Sequence, residues 1–190
     1  MASDDRRRWE ERYAAGTCGP ERAPAEFLVA HADLLHGRIL DVAAGSGRNA
    51  LFLAGRGNTV DAIDISFTAL QHARVAAAAA GVAVRAIQAD LEAFPLPLAR
   101  YDAAINIRYL QRPLFAALQR AVKPGGIILF ETFLIDQQAF GHPRNPVHML
   151  QPGELRLAFA SCEILAYSEG LVDGTDGPAY LARLLARRRA

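Results

Sequence analysis

Arg38-Ile39-Leu40-Asp41-Val42-Ala43-Ala44-Gly45-Ser46-Gly47-Arg48-Asn49-Ala50 decides how the rest of the chain is read. A short apolar run ends in a turn of small residues, and a helical pattern follows directly. That order predicts a buried strand, a glycine loop and a helix N-terminus. Gly45 and Gly47 carry no Cβ, so the backbone can turn tightly and a ligand can lie against it. The amides that open the next helix attract acceptor groups. No Lys-Ser/Thr follows the glycines, which excludes a Walker-type phosphate loop.

Two ligands compete for such a loop. A dinucleotide site needs G-x-G-x-x-G, with the third glycine packing helix against strand, and here Ala50 takes that place. Asp41, near the end of the strand, repels a pyrophosphate and suits a ligand that carries an ammonium and a sulfonium. The pattern Asp41-x-x-x-Gly45-x-Gly47 closely resembles the first motif of class I methyltransferases that use S-adenosylmethionine (SAM). On the loop alone, a glycine turn without any ligand stays open.

The 190 residues suit one domain, and a hydrophobic content of 52% supports one sizeable core. A net charge of +1 gives no global attraction to nucleic acid or anionic membrane. Arg6-Arg7-Arg8 and Arg187-Arg188-Arg189 read as solvated tails. Cys18 and Cys162 lie far apart without metal-ligand spacing, which argues for a reducing compartment. No apolar run approaches the roughly 20 residues of a membrane span. The charged N-terminus lacks the apolar core of a signal peptide, so a cytoplasmic protein is expected.

Upstream of the loop, Trp9 and Tyr13 share one face of a short helix that Gly16 stops. Two aromatics on a charged terminal helix need a surface to cover, either the domain or the ligand site. Residues 21–36 read as a helix, with Phe27, Leu28, His31, Leu34 and Leu35 at helical spacing. Downstream, Thr59 to Asp64 reads as the second strand. Asp64 follows the start of the glycine loop by about 20 residues, where an acid bonds ribose hydroxyls in dinucleotide enzymes and methyltransferases alike. Ser66 is the better cap for the alanine-rich helix that runs to Ala80. Val82 to Gln88 predicts a third strand leading to Asp90-Leu91, and Tyr101 to Ile107 a fourth leading to Arg108-Tyr109. Pro113 to Val122 reads as a helix, Lys123-Pro124-Gly125-Gly126 as a turn, and Ile127 to Phe133 as the fifth strand. The stretch from Leu134 to Leu150 is a long loop; such loops are functional or disordered, and its aromatic and basic content argues against disorder. After a short helix to Ala160, Glu163 to Ser168 and Tyr180 to Ala186 read as an antiparallel pair, joined through a Gly/Asp turn region from Gly170 to Pro178.

Alternating strands and helices through Phe133 imply a parallel, doubly wound α/β sheet. From Arg38 onward the chain resembles class I methyltransferases: Asp41, Asp64 and Asp90 stand at successive strand ends, and Lys123-Pro124-Gly125-Gly126 precedes the fifth strand. A closer resemblance is to small bacterial TehB-like methyltransferases of the tellurite-resistance type. It rests on Gly45-x-Gly47-Arg48-Asn49, Pro152-Gly153-Glu154-Leu155, the Leu181 to Arg189 ending and the Trp9 to Gly16 segment. Leu171 to Pro178 has no clear counterpart of that group's late catalytic-loop residues. Asn106-Ile107-Arg108-Tyr109 lacks the two prolines of the Asn-Pro-Pro-Tyr motif, which disfavours base or glutamine methylation.

The resemblance implies a single Rossmann-like domain with seven strands in the order 3-2-1-4-5-7-6, strand 7 antiparallel, and helices on both faces. It divides the chain into an N-terminal lid helix (1–20), a SAM-binding core (37–133), a substrate-cover loop and helix (134–160) and a C-terminal hairpin (161–190). It places Asp41, Ala43, Gly45, Ser46 and Gly47 at the methionine end of SAM, Asp64 and Ile65 at ribose, and Asp90 and Leu91 at adenine. Asn106 and Ile107 lie beside the sulfonium, and Trp9 and Tyr13 form the cover.

The activity implied is in-line transfer of a methyl group from SAM to a small molecule. For a soft nucleophile, orientation does much of the work; an oxygen or nitrogen nucleophile needs a base. His142, His148 and Tyr13 are the catalytic candidates, with Glu131 behind them. No metal is expected, because no third ligand accompanies His142 and His148. The expected partner is a small-molecule methyl acceptor, without nucleic acid or membrane, for a monomer or homodimer. Two alternatives keep the fold and change the function: an NAD(P)-dependent oxidoreductase, and a SAM-binding module without catalysis.

Overall fold

The computed structural model describes residues 2–16, 22–174 and 177–190. Among them are seven strands: β1 (Arg38–Val42), β2 (Thr59–Asp64), β3 (Val84–Gln88), β4 (Tyr101–Ile107), β5 (Val122–Phe133), β6 (Glu163–Gly174) and β7 (Gly177–Arg187). They form one sheet in the order β3-β2-β1-β4-β5-β7-β6. β1, β2 and β3 run parallel, as do β4 and β5, whereas β7 is antiparallel to both β5 and β6. This is the order and polarity that the sequence reading expects.

The chain divides into two compact units, Met1–Pro95 and Leu96–Ala190. In the first unit, Ile39, Leu40 and Val42 of β1 are fully buried, as a continuous apolar run in a parallel sheet requires. β3, at the sheet edge, keeps exposed Arg85 and Gln88. Helix α1 (Ala2–Ala14) ends in a turn at Gly16, and α2 (Glu26–Ala30) is followed by a 3-10 turn at Ala32–Leu34. The helix expected over 21–36 is thus shorter than its apolar spacing suggests. Ala25 is extended, and its amide donates to Asn49 Oδ1 at 3.0 Å, so the helix begins only at Glu26. α3 (Arg48–Gly55) follows the glycine loop, and α4 (Phe67–Ala80) begins at Ser66, whose Oγ accepts the Ala69 amide at 3.1 Å. Cys18 lies outside the described residues.

In the second unit, α5 (Leu114–Ala121) and α6 (Glu154–Ala158) accompany the strands, and Phe115, Phe130 and Phe159 pack with ring centroids 5.5–5.9 Å apart. Lys123-Pro124-Gly125-Gly126 lies inside β5 as an irregularity: Tyr101 pairs with Val122 but Ala103 pairs with Ile127. The expected turn is present, with Gly125 at φ +80°, and it takes up three extra residues without ending the strand. The last two strands run well past their expected ends. Gly170 pairs with Leu181 and Asp173 with Pro178, and Gly174 with Gly177, so residues expected in a turn continue the ladder. β6 is an edge strand, where backbone pairing tolerates the Gly and Asp that weaken a central strand. Thr175 and Asp176, at the tip, lie outside the described residues.

Candidate functional site

β1 delivers Asp41 to its carboxyl end, and the chain leaves through backbone conformations that most residues avoid. Ala43 has φ +52° and Gly45 φ +56°. Non-glycine residues in this region are strained, and they cluster at ligand sites. The Ala44 amide donates to the Ile63 carbonyl, and the Gly47 amide to the Ala44 carbonyl, each at 3.0 Å. Gly47 leads into α3, and a Cβ there would lie 2.7 Å from the Cβ of Ala73. The alanines of α4 are therefore a packing requirement of the loop as well as good helix formers.

Asp64 ends β2 and reaches the loop. Its Oδ2 accepts the Gly45 amide at 2.8 Å and its Oδ1 the Ser66 amide at 2.9 Å. One carboxylate thus positions both the glycine turn and the start of α4. Burial pushes the Asp64 pKa up, and the amides of Ser66, Gly45 and Ile65 pull against it. With three amides on its two oxygens, one acceptor position remains for a ligand hydroxyl.

Asp41 is 1% exposed, and its Oδ2 has no hydrogen-bond partner among the described residues. Burial, and next the neighbouring Asp64 carboxylate, push its pKa up to about 8, against the pull of Arg48 and of the Ala50 amide. A buried carboxylate oxygen without a partner is costly. A cationic group of a ligand would supply what is missing.

Helix α1 docks on this part of the molecule. Glu10 Oε1 accepts the Phe67 amide at 2.5 Å, and Oε2 accepts the Thr68 amide and the Ser66 hydroxyl at 3.1 Å each. An anion at a helix N-terminus is well placed. Burial raises the Glu10 pKa, but these bonds and one from the Thr68 side chain outweigh it and hold the pKa below the usual value. The Tyr13 hydroxyl comes so near Gly45 that a Cβ on that glycine would lie 2.4 Å from it. Trp9 stacks 6.0 Å from Tyr13 beneath the Arg12 guanidinium, 4.7 Å from the ring centroid. The two surfaces that the aromatic face was expected to cover, domain and loop, are adjacent.

Asp90 turns the chain after β3. Its Oδ1 accepts the Glu92 amide at 2.9 Å and its carbonyl the Phe94 amide at 2.8 Å, an Asx-type turn. Leu91, beside it, is buried, and Ile65 and Ser46 flank the acids described above.

In the second unit, Asn106 at the end of β4 donates from Nδ2 to the Tyr109 carbonyl at 2.8 Å, while its buried Oδ1 has no partner among the described residues. Ile107 is buried. Glu131 is buried in β5, and both its oxygens are taken: Arg108 Nε donates to Oε1 at 2.9 Å and Arg183 Nε to Oε2 at 2.8 Å. That makes Glu131 an anchor for cations, contrary to its reading as a reserve base. His142 and His148 are both exposed on the segment 134–150. That segment is well tied down. Arg112 binds Glu154 through two nitrogens and donates to the carbonyls of Val147 and Met149, and Gln137 bonds the His142 carbonyl and the Tyr180 amide. No group of three potential ligands that could hold a metal is found among the described residues. No helix among them is long and apolar enough to cross a membrane.

Sequence reasoning passed over Glu10 as an anchor and Arg108 and Arg183 as a pair. Glu10 sits in a run of charges, and the two arginines are far apart in the chain. Only the strand register brings Glu131 opposite Arg183.

Residues 39–126 match the family described as a methyltransferase domain. The chain is 35% identical over 108 residues to the malonyl-[acyl-carrier protein] O-methyltransferase of Salmonella typhimurium, a match covering 52% of this chain and 41% of that protein. It therefore spans about two fifths of that relative's length. Among solved structures it is similar to one from work on conversion of a disulfide bond into a thioacetal group during echinomycin biosynthesis. The TM-score is 0.71 and the identity 27%, over 88% of this chain and 82% of that one. It also shares the fold of TehB from Haemophilus influenzae, with TM-score 0.74 and 18% identity, over 86% of this chain and 62% of that one.

Proposed function

We infer that this chain is a class I SAM-dependent methyltransferase that transfers a methyl group to a small-molecule acceptor, a reading supported by its match to the methyltransferase domain over residues 39–126 and by its sheet order. The observation that carries the reading is the buried, unpartnered oxygen of Asp41, next to a glycine loop that Asp64 holds in place. A ligand with an ammonium and a sulfonium offsets the charge of these two acids; a pyrophosphate adds to it.

SAM supplies a methyl group already activated on a sulfonium. What the chain supplies is position and field. Asp41 accepts from the ammonium, and the backbone at Ala43 and Gly45-Ser46-Gly47 lies along the methionine end. Asp64 and Ile65 bind ribose, Asp90 and Leu91 adenine, and Asn106 and Ile107 the sulfonium side. Trp9 and Tyr13 close the cover and exclude water. A soft nucleophile needs little beyond orientation. For a harder one, Tyr13, His142 and His148 are the candidates for taking its proton.

The test is calorimetry of the protein with SAM, S-adenosylhomocysteine and NADH in parallel. Binding of the first two without the third supports the reading, and binding of NADH alone overturns it. Asp64→Ala also removes the acceptor of two amides, so its loss of affinity has to be read beside its thermal unfolding. A panel of small acceptors with radiolabelled SAM then tests the transfer itself.

A further inference from the structure

Arg108 stands directly after β4 with φ +60°, in a left-handed conformation that an arginine rarely adopts. Its backbone is fixed there by its amide, which donates to the Glu131 carbonyl at 2.8 Å. Its side chain is fixed as well: Nε donates to Glu131 Oε1, and the guanidinium lies 4.8 Å over the Phe133 ring centroid. Arg183 enters from β7, directly opposite Glu131 in the ladder, with its own Nε on Oε2. The two arginine side chains are 23% and 17% exposed, and the carboxylate between them 2%.

One buried carboxylate therefore holds two guanidinium groups, each by its Nε. Among the described residues, Arg108 makes its only side-chain hydrogen bond through Nε, so the outer edge of its fork remains turned away from Glu131. Strain of this kind is common at ligand sites. Guanidinium forks match carboxylate and phosphate oxygens in geometry and charge. The cluster also lies at the carboxyl ends of β4 and β5, and open α/β sheets bind their ligands beyond those ends. Just past Phe133 the chain forms an open depression lined by Ile135, Asp136, Gln138, Ala139, Phe140 and Tyr180, with Phe140 and Tyr180 edge to face at 5.2 Å; the two arginines are not part of its lining.

We propose that Arg108 and Arg183, set by Glu131 and Phe133, form an oxyanion-binding subsite, and that the methyl acceptor is an organic molecule bearing a carboxylate or phosphate group. The proposal rests on the methyltransferase reading for the word acceptor, and on the second unit alone for the anion.

The test uses the full chain saturated with S-adenosylhomocysteine. Benzoate, inorganic phosphate and neutral benzamide are titrated while the arginine Nε–H resonances are followed by NMR. Benzoate or phosphate should shift the signals of Arg108 and Arg183 saturably, and benzamide should not; a response to only one anion identifies which group is preferred. Arg108→Met should weaken that binding at least about tenfold, and Arg108→Lys, which keeps the charge but loses the fork, by about threefold. The proposal is overturned if neither anion binds, if benzamide binds as well as benzoate, or if Arg108→Met leaves anion affinity unchanged in a protein with wild-type thermal unfolding. S-adenosylhomocysteine affinity, measured in the same samples, separates the two readings. Cofactor binding without anion binding removes only this proposal. Anion binding lost in Arg108→Met without cofactor binding removes only the methyltransferase reading.

Discussion

Asp41 and Glu131 are equally buried, each 1% exposed, and the protein treats them in opposite ways. Glu131 has an arginine on each oxygen. Asp41 has another acid as its neighbour and one oxygen with no partner among the described residues. Taking a carboxylate out of water is costly unless the fold provides the countercharge. At Glu131 the fold has done so, and the group holds other side chains in place. At Asp41 the pull of Arg48 and the Ala50 amide falls short, the group keeps its proton up to about pH 8, and a cationic ligand is the countercharge we propose for it. Burial alone says nothing about role; the state of the partners does.

Asp41→Ala gives the largest break in this contrast. Losing one partner of a buried charge pair costs about 3–5 kcal/mol. Calorimetry should therefore show SAM affinity falling by about a hundredfold or more, with no fall in the unfolding temperature of the ligand-free protein. Loss of stability at unchanged affinity would instead make Asp41 an internal anchor like Glu131. Glu131→Gln should give the reverse result. Its arginines are partly solvated, so a cost of about 2–3 kcal/mol is expected in thermal unfolding, with S-adenosylhomocysteine affinity changed by no more than about twofold.

Protons sharpen the comparison further. Folding raises the Asp41 pKa from 3.8 to about 8, so the folded state binds this proton more tightly than the unfolded chain. The resulting stability is fully present below about pH 4 and is lost as pH rises through about 8. Asp41→Asn should flatten the unfolding temperature of the ligand-free protein between about pH 6 and pH 9. A cationic ligand inverts the preference. Binding of SAM near about pH 6.5 should release about one proton, read from calorimetry in buffers of different ionisation enthalpy. The Asn variant should release none.

The smallest effect belongs to Glu10→Ala, which removes the acceptor for the start of α4 and is worth about 1 kcal/mol. Global unfolding should move little. Amides of α1 should exchange about fivefold faster, which hydrogen exchange with mass spectrometry would detect.

What could be read from the sequence was what is local to it. Asp41, Gly45, Gly47 and Asp64 belong to a strand, a turn and a strand end whose chemistry is written in neighbouring residues, and they appear where that chemistry put them. Ser66 capped its helix for the same reason. The failures share a cause. The hairpin ran past Gly170 and Pro178 because a paired backbone outweighs weak side-chain preferences at an edge. Lys123-Pro124-Gly125-Gly126 turns as its residues predict, but pairing of Val122 with Tyr101 carries the strand to the far side of that turn. The Arg108–Glu131–Arg183 cluster was out of reach, since no spacing in the chain announces a cross-strand ion pair. Register is a property of the folded sheet, and the sequence shows only which residues are available to take part.

Helix α1 has one further consequence. From Asp4 to Ala14 none of its side chains is fully buried; it is held by the Glu10 carboxylate on α4 and by Tyr13 against the glycine turn. Elements held by polar contacts and little apolar surface open locally at low free energy. Lifting of this helix is therefore expected to be separate from any loosening of the sheet. Were this helix the cover proposed above, exchange of a ligand at the glycine loop would follow the release of Glu10 and Tyr13 and would leave the strands paired.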